Sequence, residues 1–189
     1  MRIIVIGDEL AAGVGDTRCL GWIGRVVARC PVEEPVYIAN LAIPGLDSTA
    51  LAHRWRSECE ARLNHQEDCR LVIGLGAGDA RSGLSTARSR LNLANIMDAA
   101  AEMNLRTLVV GPPPLPHCGD IHQLSRAYED VANRRHVPFI NTVDPLNDHE
   151  QWHADVQAHG GRHPGQIGYG LMAWLVLHQG WPAWMGVVE

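Results

Sequence analysis

The stretch Arg2-Ile3-Ile4-Val5-Ile6-Gly7-Asp8-Glu9-Leu10 decides how the chain folds. It opens with an unbroken β-branched run of the kind that forms a parallel strand buried on both faces. Glycines at positions 7, 13 and 15 then mark a turn. Open α/β folds bind their ligands at the carboxyl edge of such a sheet, so we expect Asp8 and Glu9 to lie at the centre of the functional site.

Length, net charge and residue composition exclude several classes of protein. A chain of 189 residues is long enough for a real core and predicts one domain over residues 1–189. The net charge of -5 argues against a nucleic-acid-binding surface. All 16 basic residues are arginine, which leaves no lysine for Schiff-base chemistry.

Cysteine usage and hydropathy predict the compartment. The five cysteines form no CxxC pair, the apolar runs are too short for a membrane span, and the first strand leaves no room for a signal peptide. We therefore expect a reduced, cytoplasmic protein that works without a membrane, a nucleic acid or a cofactor.

Strand-like runs alternate with helical stretches along the chain. The predicted strands are 2–6, 36–39, 71–75, 107–110 and 137–140, and the predicted helices are 20–30, 47–63, 86–103, 121–135, 148–158 and 164–178. Such alternation predicts an α/β fold, specifically a flavodoxin-like three-layer α/β/α sandwich. We expect a five-stranded parallel sheet in the order 2-1-3-4-5, with the site beside the first strand.

The C-terminal tail, residues 180–189, is apolar. It carries Trp181, Trp184, Met185, Val187 and Val188. Such a tail either folds back onto the body or forms a homodimer contact, and the tendency of apolar termini to dock favours folding back.

Four short blocks follow the expected strands or precede the expected last helix. They are Gly7-Asp8-Glu9-Leu10, Asn40-Leu41-Ala42-Ile43-Pro44-Gly45, Gly76-Ala77-Gly78-Asp79, and Gly160-Gly161-Arg162-His163-Pro164 with Gly168-Tyr169. Together they resemble the SGNH, or GDSL-type, lipase and acylhydrolase superfamily, and residues 15–22 resemble one bacterial branch of it. The resemblance implies an esterase class with a serine nucleophile in the first block and a histidine base in the last.

The catalytic residues that the resemblance implies are mostly replaced. Glu9 stands where the family has its serine, and Gly78 stands where it has an asparagine donor. Ala42 replaces the glycine of the second block, although its N–H could still donate, and Gly160 replaces the aspartate that orients the base. His163 alone is retained. Without a hydroxyl nucleophile, ordinary serine-dependent acyl transfer should be absent.

One hypothesis is therefore a non-catalytic family member, a pseudoenzyme. Glu9 would form an ion pair with His163 across the former cleft and keep the imidazole protonated, which makes it a poor base. The cleft would bind a small polar ligand, and its lining would include Asp8, Ala42, Gly78 and Asp79. Asp8 and Asp79 are also explained as residues that satisfy backbone N–H groups in turns.

A second hypothesis is a hydrolase with a changed mechanism. Glu9 could orient His163 to activate a water molecule, or could itself act as base or nucleophile on a small ester substrate.

A third, more distant hypothesis comes from another class of enzyme. His149-Glu150-Gln151-Trp152-His153 spells the HExxH motif of zinc hydrolases, with His159 placed as a third ligand. Val156 stands where the chain would need a glycine to turn toward that third ligand. Because short motifs arise by chance among ten histidines, we expect no resident metal.

Overall fold

The computed structural model describes residues 1–32, 35–64, 66–116 and 118–187. Five parallel strands form one sheet in the order 2-1-3-4-5, as predicted. The strands are β1 (Arg2–Gly7), β2 (Tyr37–Asn40), β3 (Cys69–Gly74), β4 (Arg106–Val110) and β5 (Phe139–Ile140). Helices pack on both faces of this sheet, so the predicted α/β sandwich is confirmed.

Strand β1 lies inside the sheet, between β2 and β3. Ile4 pairs with Ala39 of β2 and with Leu71 of β3. Ile3 and Ile4 are both fully buried. Because the neighbouring strands run parallel, their carboxyl ends meet at one edge, and Asp8 and Glu9 follow β1 directly at that edge.

Ten helices are present in the described residues. They are α1 (Glu9–Ala12), α2 (Gly21–Arg29), α3 (Ser48–Glu60), α4 (Ala77–Ser82), α5 (Thr86–Glu102), α6 (Ile121–Asn133), α7 (Val143–Asn147), α8 (Glu150–Ala158), α9 (Gln166–Gln179) and α10 (Trp181–Met185). The six longer ones match the predicted helices, whereas the four short ones were not predicted. None of the described helices combines the length and apolar character needed to span a bilayer.

Helix α4 covers most of the third block, where no helix was predicted. The helix begins at Ala77, directly after Gly76, whose φ of 128° suits a glycine. The carboxylate of Asp8 accepts hydrogen bonds from the N–H groups of Ala77 and Gly78. A residue distant in sequence therefore satisfies the free N–H groups at this helix start, and local sequence carries no sign of it.

The C-terminal tail folds back onto the body, as predicted. Trp181 and Trp184 are 1% and 2% exposed. The guanidinium of Arg70 donates to the carbonyl of Trp184 and lies 5.4 Å from the centre of its ring. Val188 and Glu189 lie outside the described residues, and a homodimer through this tail stays a prediction.

Candidate functional site

Asp8 joins the ends of β1 and β3. Its side chain is 1% exposed, and its Oδ1 accepts a hydrogen bond of 3.0 Å from the N–H of Leu10. Its Oδ2 accepts from the N–H groups of Ala77 at 3.0 Å and Gly78 at 3.3 Å. Burial raises the pKa of this carboxyl to about 6. The prediction that Asp8 caps the turn after the first strand is confirmed, and all of these contacts hold backbone in place.

Glu9 begins helix α1, and its side chain is buried. Its Oε2 accepts a hydrogen bond of 3.0 Å from the N–H of Gly45. Its Oε1 receives no hydrogen bond from the described residues and is neutralised by an ion pair with the guanidinium of Arg81. The expected ion pair between Glu9 and His163 is therefore wrong, because the described contacts place Arg81 in that role.

Arg81 is the site residue that sequence reasoning missed. It lies on α4 one turn after Ala77, so the anchoring of that helix to Asp8 brings the arginine to the carboxyl edge of the sheet. Its guanidinium also donates to the carbonyl of Arg162 in the loop before α9. Arg81 lies two residues beyond the third block, which ends at Asp79. Nothing in the sequence distinguishes it from the other arginines.

His163 lies in the loop before α9 and packs against the turn that follows α1. Its Nδ1 lies 3.2 Å from the carbonyl oxygen of Pro164. The ring packs against Gly15, where an added Cβ would be only 2.0 Å from Nδ1, and its centre is 5.7 Å from that of His159. No serine, threonine or cysteine of the described ranges hydrogen-bonds to this ring. The hydrogen bond recorded for the imidazole goes to a backbone carbonyl.

The backbone donor of the second block is Gly45 rather than Ala42. The N–H of Ala42 donates to the side-chain oxygen of Asn40 at 3.1 Å, so it is not available to a ligand. The N–H that reaches residue 9 belongs to Gly45, which has a φ of 77°. The Pro44-Gly45 turn was visible in the quoted block, and a glycine after a proline was the signal that could have identified the donor.

Gly78 and Asp79 serve packing. A Cβ at Gly78 would lie 2.0 Å from the carbonyl oxygen of Leu46, so this position has no room for a side chain. Asp79 is fully buried; its Oδ1 accepts from the N–H of Ser48 at 2.5 Å and its Oδ2 from the hydroxyl of Tyr128 at 2.6 Å. Burial next to this carboxylate raises the pKa of Tyr128 well above its ordinary value. Asp79 thus satisfies one backbone N–H, at the start of α3, which agrees with the expected role of satisfying backbone N–H groups.

The HExxH residues do not form a metal site. Helix α8 begins at Glu150, so His149 is its N-cap residue, with extended backbone, and its carbonyl accepts a hydrogen bond from the N–H of His153. The Nε2 of His153 contacts the carbonyl of Asn147, and the Nδ1 of His159 contacts that of Asp155. Among the residues that the structure describes, no group of three histidine, cysteine or acidic side chains is arranged to hold a metal ion.

The sheet and its carboxyl edge define a hydrolase fold of the SGNH type. Residues 5–171 match the model of the GDSL-like Lipase/Acylhydrolase family, and the chain belongs to that family.

Comparison with individual proteins agrees with this family. Esterase TesA from Pseudomonas aeruginosa is 29% identical over 144 residues, which cover 73% of this chain and 70% of that protein. The crystal structure of the lipase/acylhydrolase from Enterococcus faecalis matches with a TM-score of 0.76 at 26% identity, over 94% of each chain. A crystal structure of TesA covers all of both chains with a TM-score of 0.79 at 22% identity, which shows the shared fold.

Proposed function

We propose that this protein is a member of the esterase and acylhydrolase family that has lost serine-dependent acyl transfer and uses its cleft to bind a small polar ligand. The observation that carries the proposal is the placement of Glu9. Its carboxylate stands at the nucleophile position, where it is held by the N–H of Gly45 and the guanidinium of Arg81.

Acyl transfer through a covalent intermediate needs a nucleophile within hydrogen-bonding reach of a base. The carboxylate of Glu9 is paired with the guanidinium of Arg81 and forms no hydrogen bond or ion pair with the ring of His163, so it neither replaces that nucleophile nor orients the imidazole. The same contacts count against a water-activating pair of Glu9 and His163. The non-catalytic hypothesis is therefore favoured over the hydrolase with a changed mechanism.

The supporting groups of an esterase site are missing as well. Gly78 offers no side-chain donor, and the close carbonyl of Leu46 prevents a larger residue from supplying one. Gly160 offers no carboxylate behind the base. Loss of one oxyanion donor costs about 10² to 10³ in rate, and loss of the orienting carboxylate about 10⁴.

The test is an assay of 4-nitrophenyl acetate and butyrate with the natural protein, Glu9→Ser, His163→Ala and His53→Ala. His53 is an exposed histidine on α3, so His53→Ala controls for hydrolysis by surface imidazoles. A fluorophosphonate probe applied to the same four proteins reports any activated serine directly.

We expect the natural protein, His163→Ala and His53→Ala to share one low background rate and to remain unlabelled. Glu9→Ser should gain at most slow labelling, because the missing donor and carboxylate are not restored. Turnover by the natural protein that His163→Ala abolishes and His53→Ala preserves would overturn the proposal in favour of a non-serine hydrolase.

A further inference from the structure

The carboxylate of Glu9 is bound by two groups, the guanidinium of Arg81 and the N–H of Gly45. Its side chain is 6% exposed, whereas the side chain of Arg81 is 34% exposed. A buried carboxylate is stable only when it is paired and hydrogen-bonded, and here the pairing comes from Arg81 and the N–H of Gly45. These two groups provide one positive charge and one backbone donor on the same carboxylate.

The donors are held in place by contacts that do not involve Glu9. Helix α4, which carries Arg81, is anchored through the N–H groups of Ala77 and Gly78 on Asp8. The guanidinium has a second anchor at the carbonyl of Arg162. Gly45 lies in a turn closed by the bond from the N–H of Leu46 to the carbonyl of Ile43. The donor set should therefore persist when the side chain of residue 9 is shortened.

We propose that Arg81 and the N–H of Gly45 form a binding site for a small carboxylate, and that the chain's own Glu9 fills this site. A guanidinium presents paired N–H groups that match the planar geometry of a carboxylate, which favours this class of anion over chloride. The inference rests on the proposed function for the loss of turnover and goes beyond it, because an external carboxylate can reach these donors only when the side chain of residue 9 is shortened. A monocarboxylate of the size of acetate reproduces the end of the Glu9 side chain.

The experiment measures the effect of sodium acetate on the melting temperature, with sodium chloride at equal ionic strength as the salt control. The variants are Glu9→Ala, which opens the site, Glu9→Gln, which keeps it filled, and Glu9→Ala/Arg81→Met, which opens it without the cation. Glu58→Ala is the matched control, because it removes a carboxylate from the surface ion pair with Arg54. Glu9→Ser is a second opened variant in case Glu9→Ala folds poorly.

We expect 100 mM acetate to raise the melting temperature of the opened variants by about 3 to 6 °C beyond chloride. The natural protein, Glu9→Gln, the double variant and Glu58→Ala should show no such difference. An equal response to acetate and chloride, or a response that survives Arg81→Met, would overturn the proposal. No ester is present in this experiment, so its failure is separate from any failure of the activity assay.

Discussion

Glu9 and Arg81 form an ion pair in which the two charges differ in their access to water. The carboxylate side chain is 6% exposed and the guanidinium side chain 34%. Removing one partner of such a pair leaves the other without its counter-charge, and the cost depends on whether that remaining group can hydrate.

We predict that removing the charge of Arg81 lowers the free energy of unfolding more than removing the charge of Glu9. Arg81→Met should lower the free energy of unfolding by about 2 to 3 kcal/mol, because it leaves the Glu9 carboxylate buried with only the N–H of Gly45. Glu9→Gln should cost less than about 1 kcal/mol, because a neutral glutamine fills the same space and Arg81, which is 34% exposed, is already in contact with water and with the carbonyl of Arg162. Urea denaturation of both variants measures the difference, and equal losses would contradict it.

Asp8 should give the stability an unusual dependence on pH. Burial raises its pKa from 3.8 to about 6, so the folded protein binds more protons than the unfolded chain between about pH 4 and 6. The stability that Asp8 contributes should therefore fall by about 3 kcal/mol as the pH rises through that window. Urea denaturation of the natural protein and Asp8→Asn across this range should give a difference that decreases with pH.

Asp16 provides the control of opposite sign. The guanidinium of Arg25 lowers the pKa of Asp16 to about 2, so its contribution is fully present above pH 4 and is lost only as the pH falls from about 4 to 2. Asp16→Asn should therefore differ from the natural protein by a constant amount between about pH 4 and 7. If the difference in unfolding free energy between Asp8→Asn and the natural protein were also constant with pH, the prediction for Asp8 would be contradicted.

Gly15→Ala should displace His163. At this position φ is 90°, and an added Cβ would lie 2.0 Å from Nδ1 and 2.3 Å from Cε1 of the ring. Gly83→Ala is the matched control, because its φ is 69° but its Cβ would meet nothing within 4 Å. Gly83→Ala should cost about 1 kcal/mol from backbone strain alone, and Gly15→Ala about 1 to 3 kcal/mol more.

Histidine NMR spectra separate the two effects. Only Gly15→Ala should shift the ring signals of His163. Unchanged signals in that variant would show that the ring does not rest on Gly15.

The natural protein should contain no stoichiometric zinc. His149 stands before α8 rather than on it, and His153 and His159 bond to backbone carbonyls within their own segment. Elemental analysis of protein purified without a histidine tag measures this directly. One zinc per chain that is lost in His153→Ala would reinstate the metal hypothesis.

The sequence predicted the sheet because its signals are local. Each long strand is an apolar run followed by a glycine or a proline, as in Leu71–Gly74 and Thr107–Gly111. The short helix α4 was missed because its N–H groups are satisfied by Asp8, which is distant in the chain. Local patterns do not record that kind of contact.

The site was predicted in position but not in its pairing. Glu9 and His163 were identified because motif blocks place them at the sheet edge; Glu9 begins α1 directly after β1, and His163 packs against Gly15 in the turn after α1. Their partners were not identified, because Arg81 reaches Glu9 only through the placement of α4. The Gly45 donor was missed because the family resemblance directed attention to Ala42, although the Pro44-Gly45 pair marked the turn that presents the N–H.

The packing of Trp184 over Arg70 ties the last turns of the chain to the start of strand β3. Arg70 is 5% exposed at the start of β3, and the tail provides both a carbonyl and a ring for its charge. A protein cut short after Gly180 would leave the guanidinium of Arg70 with its ion pair to Asp68 but without the carbonyl and ring of Trp184, at the end of the sheet opposite the cleft. Shortening this chain from its C-terminus would therefore destabilise the amino end of the sheet whose carboxyl edge carries the cleft.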